Sequence, residues 1–237
     1  MQQWVTVDRA TVGDNEFVLA RRADEWVVRV DQRVLMSSRM HQSEIALAER
    51  ATERVKLPGS VLVGGLGLGY TLRAVLDLVP KTTRVTVVEL VSELVDWNRK
   101  YLHELNARAL EDPRCEVVVG DAFDLLARSS GSFDIIVLDV DNGPEALSQA
   151  KNQRIYGDSG VRACRHALTP GGVLGVWSAG PSDKFRTRLL RSGFDVDVQR
   201  VPARAGARGT HVLFLGQNHP RRSDGPTRPK RRQRRDS

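Results

Sequence analysis

The stretch VLVGGLGLGYTLRAVL, residues 61–76, places four glycines within six positions, between an apolar run and a segment with helical spacing. The four are Gly64, Gly65, Gly67 and Gly69. A glycine-rich turn between a strand and a helix lets main-chain N–H groups and the helix N-terminus face a ligand at close range. The dinucleotide fingerprint G-x-G-x-x-G/A, started at Gly65, needs a small residue at position 70, where this chain has Tyr70. The pattern disfavours NAD and leaves two interpretations open: another nucleotide-like ligand, or a turn that only packs a helix against a strand.

Apolar runs alternate with helix-length segments on the carboxyl side of residue 60. The runs are VLVGG, RVTVVEL, CEVVVGD, FDIIVLDV, GVLGVWSA, DVDVQRV and HVLFLG. Continuous apolar strands are typical of a parallel sheet with helices on both faces, so we predict a doubly wound, seven-stranded, mostly parallel α/β sheet. The last two runs are joined by PARAGARGT, which is too short for a crossover helix. The final pair is therefore predicted to be antiparallel.

The chain is predicted to have three parts. Residues 1–40 contain short runs of β-branched and aromatic residues separated by turns, which indicates a small β-hairpin element. Residues 41–217 form the nucleoside-binding α/β domain, which opens with a helix in HQSEIALAERATERV, with Ser43 as its expected N-cap. Residues 218–237 combine like charges with Pro, Gly and Ser and no apolar period, so we predict a disordered basic tail.

Most of the net charge of +7 lies in that tail, because residues 221–237 hold eight Lys or Arg and two Asp. The tail is expected to make weak, electrostatic contacts with polyanions. With 237 residues, 41% of them hydrophobic, the chain can bury a core, and no run is long and apolar enough to span a membrane. The start of the chain lacks a signal-peptide pattern, which predicts a cytoplasmic location. Its two cysteines have no metal-type spacing.

Carboxylates follow three of the predicted strands. Glu89 ends the second strand, 20 positions beyond Gly69, where a carboxylate can accept both hydroxyls of a ribose. Asp121, followed by Ala122, comes after the third strand, where it can accept from an adenine amine or cap the next helix. Asp139 ends the fourth strand, where burial can raise the pKa of its carboxyl and suit it to proton transfer. The carboxyl ends of parallel strands share one edge, so these side chains predict a nucleoside site there.

Several of these motifs together resemble the spermidine synthase family, the aminopropyltransferases built on the class I S-adenosylmethionine methyltransferase fold. They are HQSEIALAE, GGLGLGYTLR, VVEL, GDAFDLL, FDIIVLDVDNGP and LTPGGVL, within residues 15–215. The resemblance implies polyamine biosynthesis with an S-adenosyl donor as co-substrate and no metal. It implies Gly65, Gly67, Gly69, Glu89, Asp121 and Ala122 as donor-binding residues, with Asp139 assisting amine deprotonation. A small-molecule amine acceptor and a possible homodimer follow from the same resemblance.

The chain departs from the family pattern around the expected acceptor. Leu68 stands where the family has an aspartate that holds the amine of the decarboxylated donor, and the acidic loop D-S-S-D-P is replaced by Asp139-Val140-Asp141-Asn142. The segment SEIALAE keeps two glutamates and loses a tyrosine, which leaves Glu44, Asp141 and Asn142 as the predicted acceptor-binding residues. Three functions stay open: aminopropyl transfer, methyl transfer from intact S-adenosylmethionine, and a catalytically silent relative.

Overall fold

A computed structural model describes residues 2–140, 154–203 and 209–219, and its first element is a four-stranded antiparallel sheet. The strands are β1 (Val5–Val12), β2 (Asn15–Arg22), β3 (Glu25–Val30) and β4 (Arg33–Ser37), paired in chain order. Two-residue turns join them, and positive φ angles occur in these turns at Gly13, Ala23, Asp31 and Gln32. The hairpin pattern expected for residues 1–40 is confirmed by this sheet.

The second sheet has seven strands in the order β10-β11-β9-β8-β5-β6-β7. The strands are β5 (Ser60–Gly64), β6 (Arg84–Glu89), β7 (Cys115–Val119), β8 (Phe133–Leu138), β9 (Leu168–Ser178), β10 (Asp195–Pro202) and β11 (Thr210–Gln217). Strands β5 to β9 are parallel, whereas β11 runs antiparallel to β9 and to β10. The predicted fold class and the predicted antiparallel final pair are both confirmed.

Helices cover both faces of the large sheet. They are α1 (Gln42–Thr52), α2 (Tyr70–Leu78), α3 (Ser92–Lys100), α4 (Ala122–Ala127), α5 (Asp158–Ala167) and α6 (Asp183–Arg191). Successive strand residues point to opposite faces, so Val61 and Val63 belong to the same buried cluster as Leu72 of α2, whereas Leu62 belongs to the cluster that includes Phe185 of α6. The buried apolar side chains on both faces fix the sheet and hold its carboxyl edge in place.

A third apolar cluster joins the N-terminal sheet to the large domain. Phe17, Leu19 and Val28 of the N-terminal sheet pack against Leu94 and Trp97 of α3, and Leu68 and Leu102 belong to the same cluster. Leu68 is 4% exposed. Its side chain therefore stabilises the contact between the two sheets, a role that its alignment with a ligand-binding aspartate did not predict.

Two local predictions were wrong. The N-cap of α1 is His41, whereas Ser43 lies inside the first turn and its hydroxyl bonds to a different part of the fold. The segment VSELVDWNRKYLHELN, residues 91–106, has the length and spacing of a single helix, but α3 ends at Lys100 and the chain then turns, with positive φ at Ala107 and Arg108. Helical periodicity continues to residue 106, but tertiary packing of this segment overrides it.

Two further properties of the described residues bear on function. None of their helices is long and apolar enough to cross a membrane. Cys164 is buried and Cys115 partly buried, and both are free thiols. Burial raises the pKa of Cys115 to about 11 and that of Cys164 to about 12, so neither is a reactive thiolate at neutral pH.

Candidate active site

The glycine turn between β5 and α2 adopts backbone conformations that side chains rarely allow. Gly65, Gly67 and Gly69 have φ angles of +90°, +53° and +87°. A Cβ on Gly65 would clash with the carbonyl oxygen of Asp139, and a Cβ on Gly69 would lie 2.6 Å from Nδ2 of Asn106. Other parts of the chain therefore lie against these two glycines. The end of β8 lies against Gly65, and the buried side-chain amide of Asn106 lies against Gly69.

Two asparagines that the sequence reasoning missed hold the glycine turn. Asn98 and Asn106 are 1% and 2% exposed. Asn98 Nδ2 donates to the Gly67 carbonyl at 2.8 Å, and Asn106 Nδ2 donates to Oδ1 of Asn98 at 2.7 Å and to the Leu68 carbonyl at 3.3 Å. Because buried amides need partners, this pair fixes the turn before any ligand arrives.

A cavity of about 740 Å³ opens beside the turn, between the N-terminal sheet and the carboxyl edge of the large sheet. Of the predicted donor-binding residues, Gly65, Gly67, Glu89, Asp121 and Ala122 line it, and so does Asp139; Gly69 and Glu44 are not among the described lining residues. Met36, Leu90 and Ile155 add apolar walls that sequence reasoning did not identify. Leu90 is 44% exposed, and its place directly after Glu89, at the end of an apolar run, is the sequence signal that could have found it.

Glu89 is buried at the end of β6, and both of its carboxylate oxygens accept main-chain hydrogen bonds. Leu66 N–H in the glycine turn donates to Oε2, and Val91 N–H donates to Oε1, each at 2.9 Å. A carboxylate oxygen has a further lone pair, so Glu89 can still accept from a ligand hydroxyl in the cavity. The same side chain thereby ties the turn to the next strand.

Asp121 has the capping role that the sequence analysis left open. It is the N-cap of α4, and its Oδ1 accepts from Phe123 N–H at 2.8 Å. Its Oδ2 lies 3.5 Å from a guanidinium nitrogen of Arg154, whose guanidinium also stacks over the Phe123 ring. Because Asp121 and Ala122 also line the cavity, capping does not exclude a ligand contact.

Asp139 lies directly after β8, in the wall of the cavity. Its Oδ2 accepts a hydrogen bond of 2.6 Å from the hydroxyl of Thr71, a buried residue of α2. Desolvation raises the pKa of the Asp139 carboxyl to about 6, although the Thr71 hydrogen bond acts in the opposite direction. The raised pKa that the strand-end position predicted is confirmed, and it falls near the range that suits a general base at neutral pH.

Glu44 and Tyr70 form a second group of titratable side chains next to Asp139. Desolvation, and then the charge of Asp139, raise the pKa of the Glu44 carboxyl well above its usual value. Burial and the charge of Glu44 raise the pKa of Tyr70 to about 12. Two neighbouring carboxyl groups repel each other when both are ionised. A cation bound between them would stabilise the ionised pair.

The position of Tyr70 is set by the end of the N-terminal sheet. Its hydroxyl donates to the Ser38 carbonyl at 3.2 Å, and the Nδ1–H of His41 donates to the same carbonyl at 2.7 Å. The His41 and Tyr70 rings stack with centroids 4.4 Å apart. This contact joins the N-terminal sheet, α1 and α2 beside Glu44.

A buried polar group, absent from the sequence predictions, anchors the first turn of α1. Ser43 Oγ lies 2.8 Å from Nδ1 of His211 and accepts from Nε1–H of Trp177 at 3.0 Å. Burial lowers the pKa of His211 and so favours the neutral ring, whose Nδ1 shares one hydrogen bond with the Ser43 hydroxyl. These bonds attach the residue before Glu44 to β9 and β11.

The remaining predicted residues, Asp141 and Asn142, lie outside the described residues, so their places in the site stay predictions. Leu68 is packed in the apolar cluster below the N-terminal sheet and is not among the described residues that line the cavity. Across the described ranges, no group of three or more His, Cys, Asp or Glu side chains could hold a metal ion.

Comparison with known proteins identifies relatives of this chain. The family model for the spermine/spermidine synthase domain matches residues 40–181. The polyamine aminopropyltransferase of Aeropyrum pernix is 30% identical over 187 residues, which cover 73% of this chain and 58% of that protein. The enzyme of the same name from Nitrosomonas europaea is 37% identical over 143 residues, covering 59% of this chain and 42% of that protein. This chain thus spans roughly half the length of these curated relatives.

Solved structures share the fold. A spermidine synthase in complex with the transition state analogue AdoDATO superposes with a TM-score of 0.76 and 20% identity, covering 90% of this chain and 73% of that chain. A spermidine synthase from Thermotoga maritima gives a TM-score of 0.74 and 18% identity, covering 90% of this chain and 72% of that chain. The similarity includes the N-terminal region, which the family model does not match.

Proposed function

The chain belongs to the spermine/spermidine synthase family, and we infer from this membership that it transfers an aminopropyl group from a decarboxylated S-adenosyl donor to an amine. The observation that carries the proposal is the position of Glu89, Asp121 and Asp139 around one cavity at the carboxyl edge of the sheet. The curated relatives are named aminopropyltransferases, which favours this reaction over methyl transfer.

The cavity suits the nucleoside part of such a donor. We assign the ribose hydroxyls to Glu89, the adenine edge to Asp121, and the adenine faces to the apolar walls at Leu90, Ala122 and Ile155. The charged residues among the described lining residues are Asp31, Arg33, Glu89, Asp121 and Asp139. Four carboxylates against one guanidinium favour a cationic ligand, and removal of its carboxylate leaves the donor more positive.

The chemistry requires little more than alignment and loss of one proton. The nitrogen lone pair of the acceptor attacks the propyl carbon attached to sulfur, the carbon–sulfur bond breaks, and its electrons remain on sulfur as neutral methylthioadenosine. A primary amine is almost fully protonated at neutral pH, so a proton must leave before attack. Asp139, whose carboxyl has a pKa of about 6, receives or steers that proton.

The acceptor is expected to bind beside Glu44 and Asp139. Desolvation, and then the charge of Asp139, raise the pKa of the Glu44 carboxyl, and an ammonium group placed between the two carboxylates would lower it. Asp141 and Asn142 remain the proposed further contacts to the acceptor. An amine with a second cationic group therefore suits this site better than a neutral alcohol or a carboxylate.

Calorimetry with methylthioadenosine, intact S-adenosylmethionine and its decarboxylated form tests the donor assignment. We expect methylthioadenosine to bind, and the decarboxylated donor to bind at least about tenfold more tightly than the intact one. The carboxylate of the intact donor is repelled by the carboxylates of the cavity, and about 1.4 kcal/mol of such repulsion corresponds to a tenfold loss of affinity. Diamines are then supplied with the preferred donor, and release of methylthioadenosine is measured. Tighter binding of the intact donor, with methyl transfer, would favour a methyltransferase, and no binding by any of the three would favour a silent relative.

A further inference from the structure

A basic cleft lies at the amino edge of the large sheet, opposite the edge that carries the candidate active site. Its volume is about 570 Å³. It lies between the carboxyl ends of α5 and α6, the start of β9 and the residues that follow β11. Its lining residues are Asp158, Arg162, Arg165, His166, Leu168, Pro170, Arg191, Ser192, Asn218 and His219.

The positive charge of this cleft is not neutralised by the described residues. Arg162, Arg165 and Arg191 form no ion pair there, whereas Asp158, the acid in the lining, is paired with Arg188 at 3.0 Å. The two helix ends add roughly half a negative charge each. Three guanidinium charges exceed the combined negative charge of the two helix ends. Attraction to the helix ends therefore accounts for only part of the arginine cluster.

Arg165 also has hydrogen-bonding capacity that the described residues leave unused. Its Nε is buried and has no partner among them, and its guanidinium lies beside Gly193, where an added Cβ would be 3.2 Å from Cζ of Arg165. The nearby backbone is fixed, because Asn218 Nδ2 donates to the Thr169 carbonyl at 3.0 Å and Asn218 N–H donates to Gly172 at 2.8 Å. Planar, fixed guanidinium groups recognise phosphate oxygens through paired N–H donors.

The sequence extends this charge. From the cleft wall at Asn218 and His219 the chain continues directly into residues 220–237, which include eight Lys or Arg. The cleft has room for one or two phosphate groups, and the adjoining sequence carries further positive charge, which favours a polymer with regularly spaced phosphates over a single small anion. We propose that this edge of the protein binds the phosphate backbone of a nucleic acid strand, with Arg165 and Arg191 as the contacts within the cleft.

The test measures binding of the full chain to a short labelled RNA oligonucleotide by fluorescence anisotropy, between about 50 and 200 mM salt. We expect Arg165→Gln and Arg191→Gln each to weaken binding about 3- to 10-fold and to reduce the slope of log affinity against log salt by about one. Arg186→Gln is the matched control, because Arg186 is exposed on the same helix as Arg191, lies outside the cleft and removes the same charge. Its effect should stay below about twofold.

Two results would overturn the proposal. Equal effects of Arg186→Gln and Arg191→Gln would show that net charge alone drives binding. Competition by inorganic tripolyphosphate as strong as that by unlabelled oligonucleotide, at equal phosphate concentration, would assign the cleft to a small phosphate compound. Melting temperatures and methylthioadenosine affinities of the variants establish that folding is intact, and the exposed Arg191 provides the test if Arg165→Gln does not fold.

Discussion

Thr71 donates a hydrogen bond of 2.6 Å to Asp139 and thereby ties the first turn of α2 to the end of β8. The bond stabilises the charged form of the carboxylate, whereas the surroundings of Asp139 stabilise the neutral form. The balance places the pKa at about 6, so the carboxylate is mostly ionised at neutral pH and still basic enough to receive a proton.

Asp139→Asn should separate donor binding from turnover. Asparagine keeps the size of the side chain and can accept from Thr71, but it cannot take a proton from the amine. We expect kcat to fall about 100-fold or more while methylthioadenosine binds with unchanged affinity. Turnover assays with an active donor and amine pair, together with calorimetry, measure the two effects. Near-normal kcat would make Asp139 a structural residue.

The same substitution should change how stability depends on pH. The pKa of Asp139 rises from 3.8 to about 6 on folding, so between these values the folded chain binds more protons than the unfolded chain. The free energy of unfolding therefore decreases as pH rises through this window. Above about pH 6 we expect Asp139→Asn to be more stable than the parent, by at most about 3 kcal/mol in the free energy of unfolding, and to melt at a higher temperature. Below about pH 4 this gain should vanish. A gain that persists at low pH would have another cause.

Thr71→Val should shift the acidic limb of the pH profile. Removing the hydroxyl removes the interaction that lowers the pKa of Asp139, so we expect the limb of kcat/KM, near pH 6 in the parent, to move upward by about one unit. Well above the limb, kcat should approach that of the parent. Thr71→Ser keeps the donor and serves as the matched control. Because Glu44 and Asp139 interact, the limb reports the pair of carboxylates.

Glu89→Gln should weaken binding of adenosyl ligands by about 1.5 to 3 kcal/mol, the range for hydrogen bonds to charged groups. Glutamine is preferred over alanine, because its amide oxygen still accepts from one of the two N–H groups of Leu66 and Val91, whereas alanine would leave both without acceptors, at a cost of about 1 to 3 kcal/mol each. Calorimetry with methylthioadenosine measures the loss. A methylthioadenosine analogue without the two ribose hydroxyls completes a double-mutant cycle with Glu89→Gln. The affinity of this analogue should be equal for parent and variant. A loss of the same size with the analogue would remove the ribose assignment.

Gly65→Ala should be far more damaging than Gly131→Ala, although both glycines have positive φ. At Gly131 nothing lies within 4 Å of an added Cβ, so only backbone strain of about 1 to 2 kcal/mol is expected. At Gly65 the added atom also meets the Asp139 carbonyl, and we expect a loss of about 3 kcal/mol or more, with loss of ligand binding. Denaturant unfolding gives both values. Equal losses would mean that the end of β8 moves away freely.

The features that the sequence predicted are those with a local signal. Continuous apolar runs predicted the parallel strands, and strand ends placed Glu89, Asp121 and Asp139 on one edge. The short link before HVLFLG predicted the antiparallel final pair. Each inference needed only the period of a segment and the geometry of a parallel sheet.

The features that were missed depend on partners far along the chain. The hydroxyl of Ser43 bonds to His211, 168 positions away, so its preference for an N-cap did not decide its place. Leu68 lies in a glycine-rich turn that the sequence assigned to ligand binding, but its side chain belongs to the buried cluster with Phe17 and Trp97. Asn98 reaches the glycine turn only because the helix around it packs against that turn. No period or spacing encodes such contacts.

The strand order has a consequence for the timing of folding during synthesis. The last strand of the described residues, β11, does not lie at the border of the sheet but between β9 and β10. While the chain emerges from the ribosome, β5 to β9 can pair in their parallel order, but β9 presents a bare edge of main-chain donors and acceptors until β11 arrives. Completion of the sheet therefore waits for the end of translation of the domain, and the nascent chain passes through a stage in which an apolar strand edge is open to misassembly.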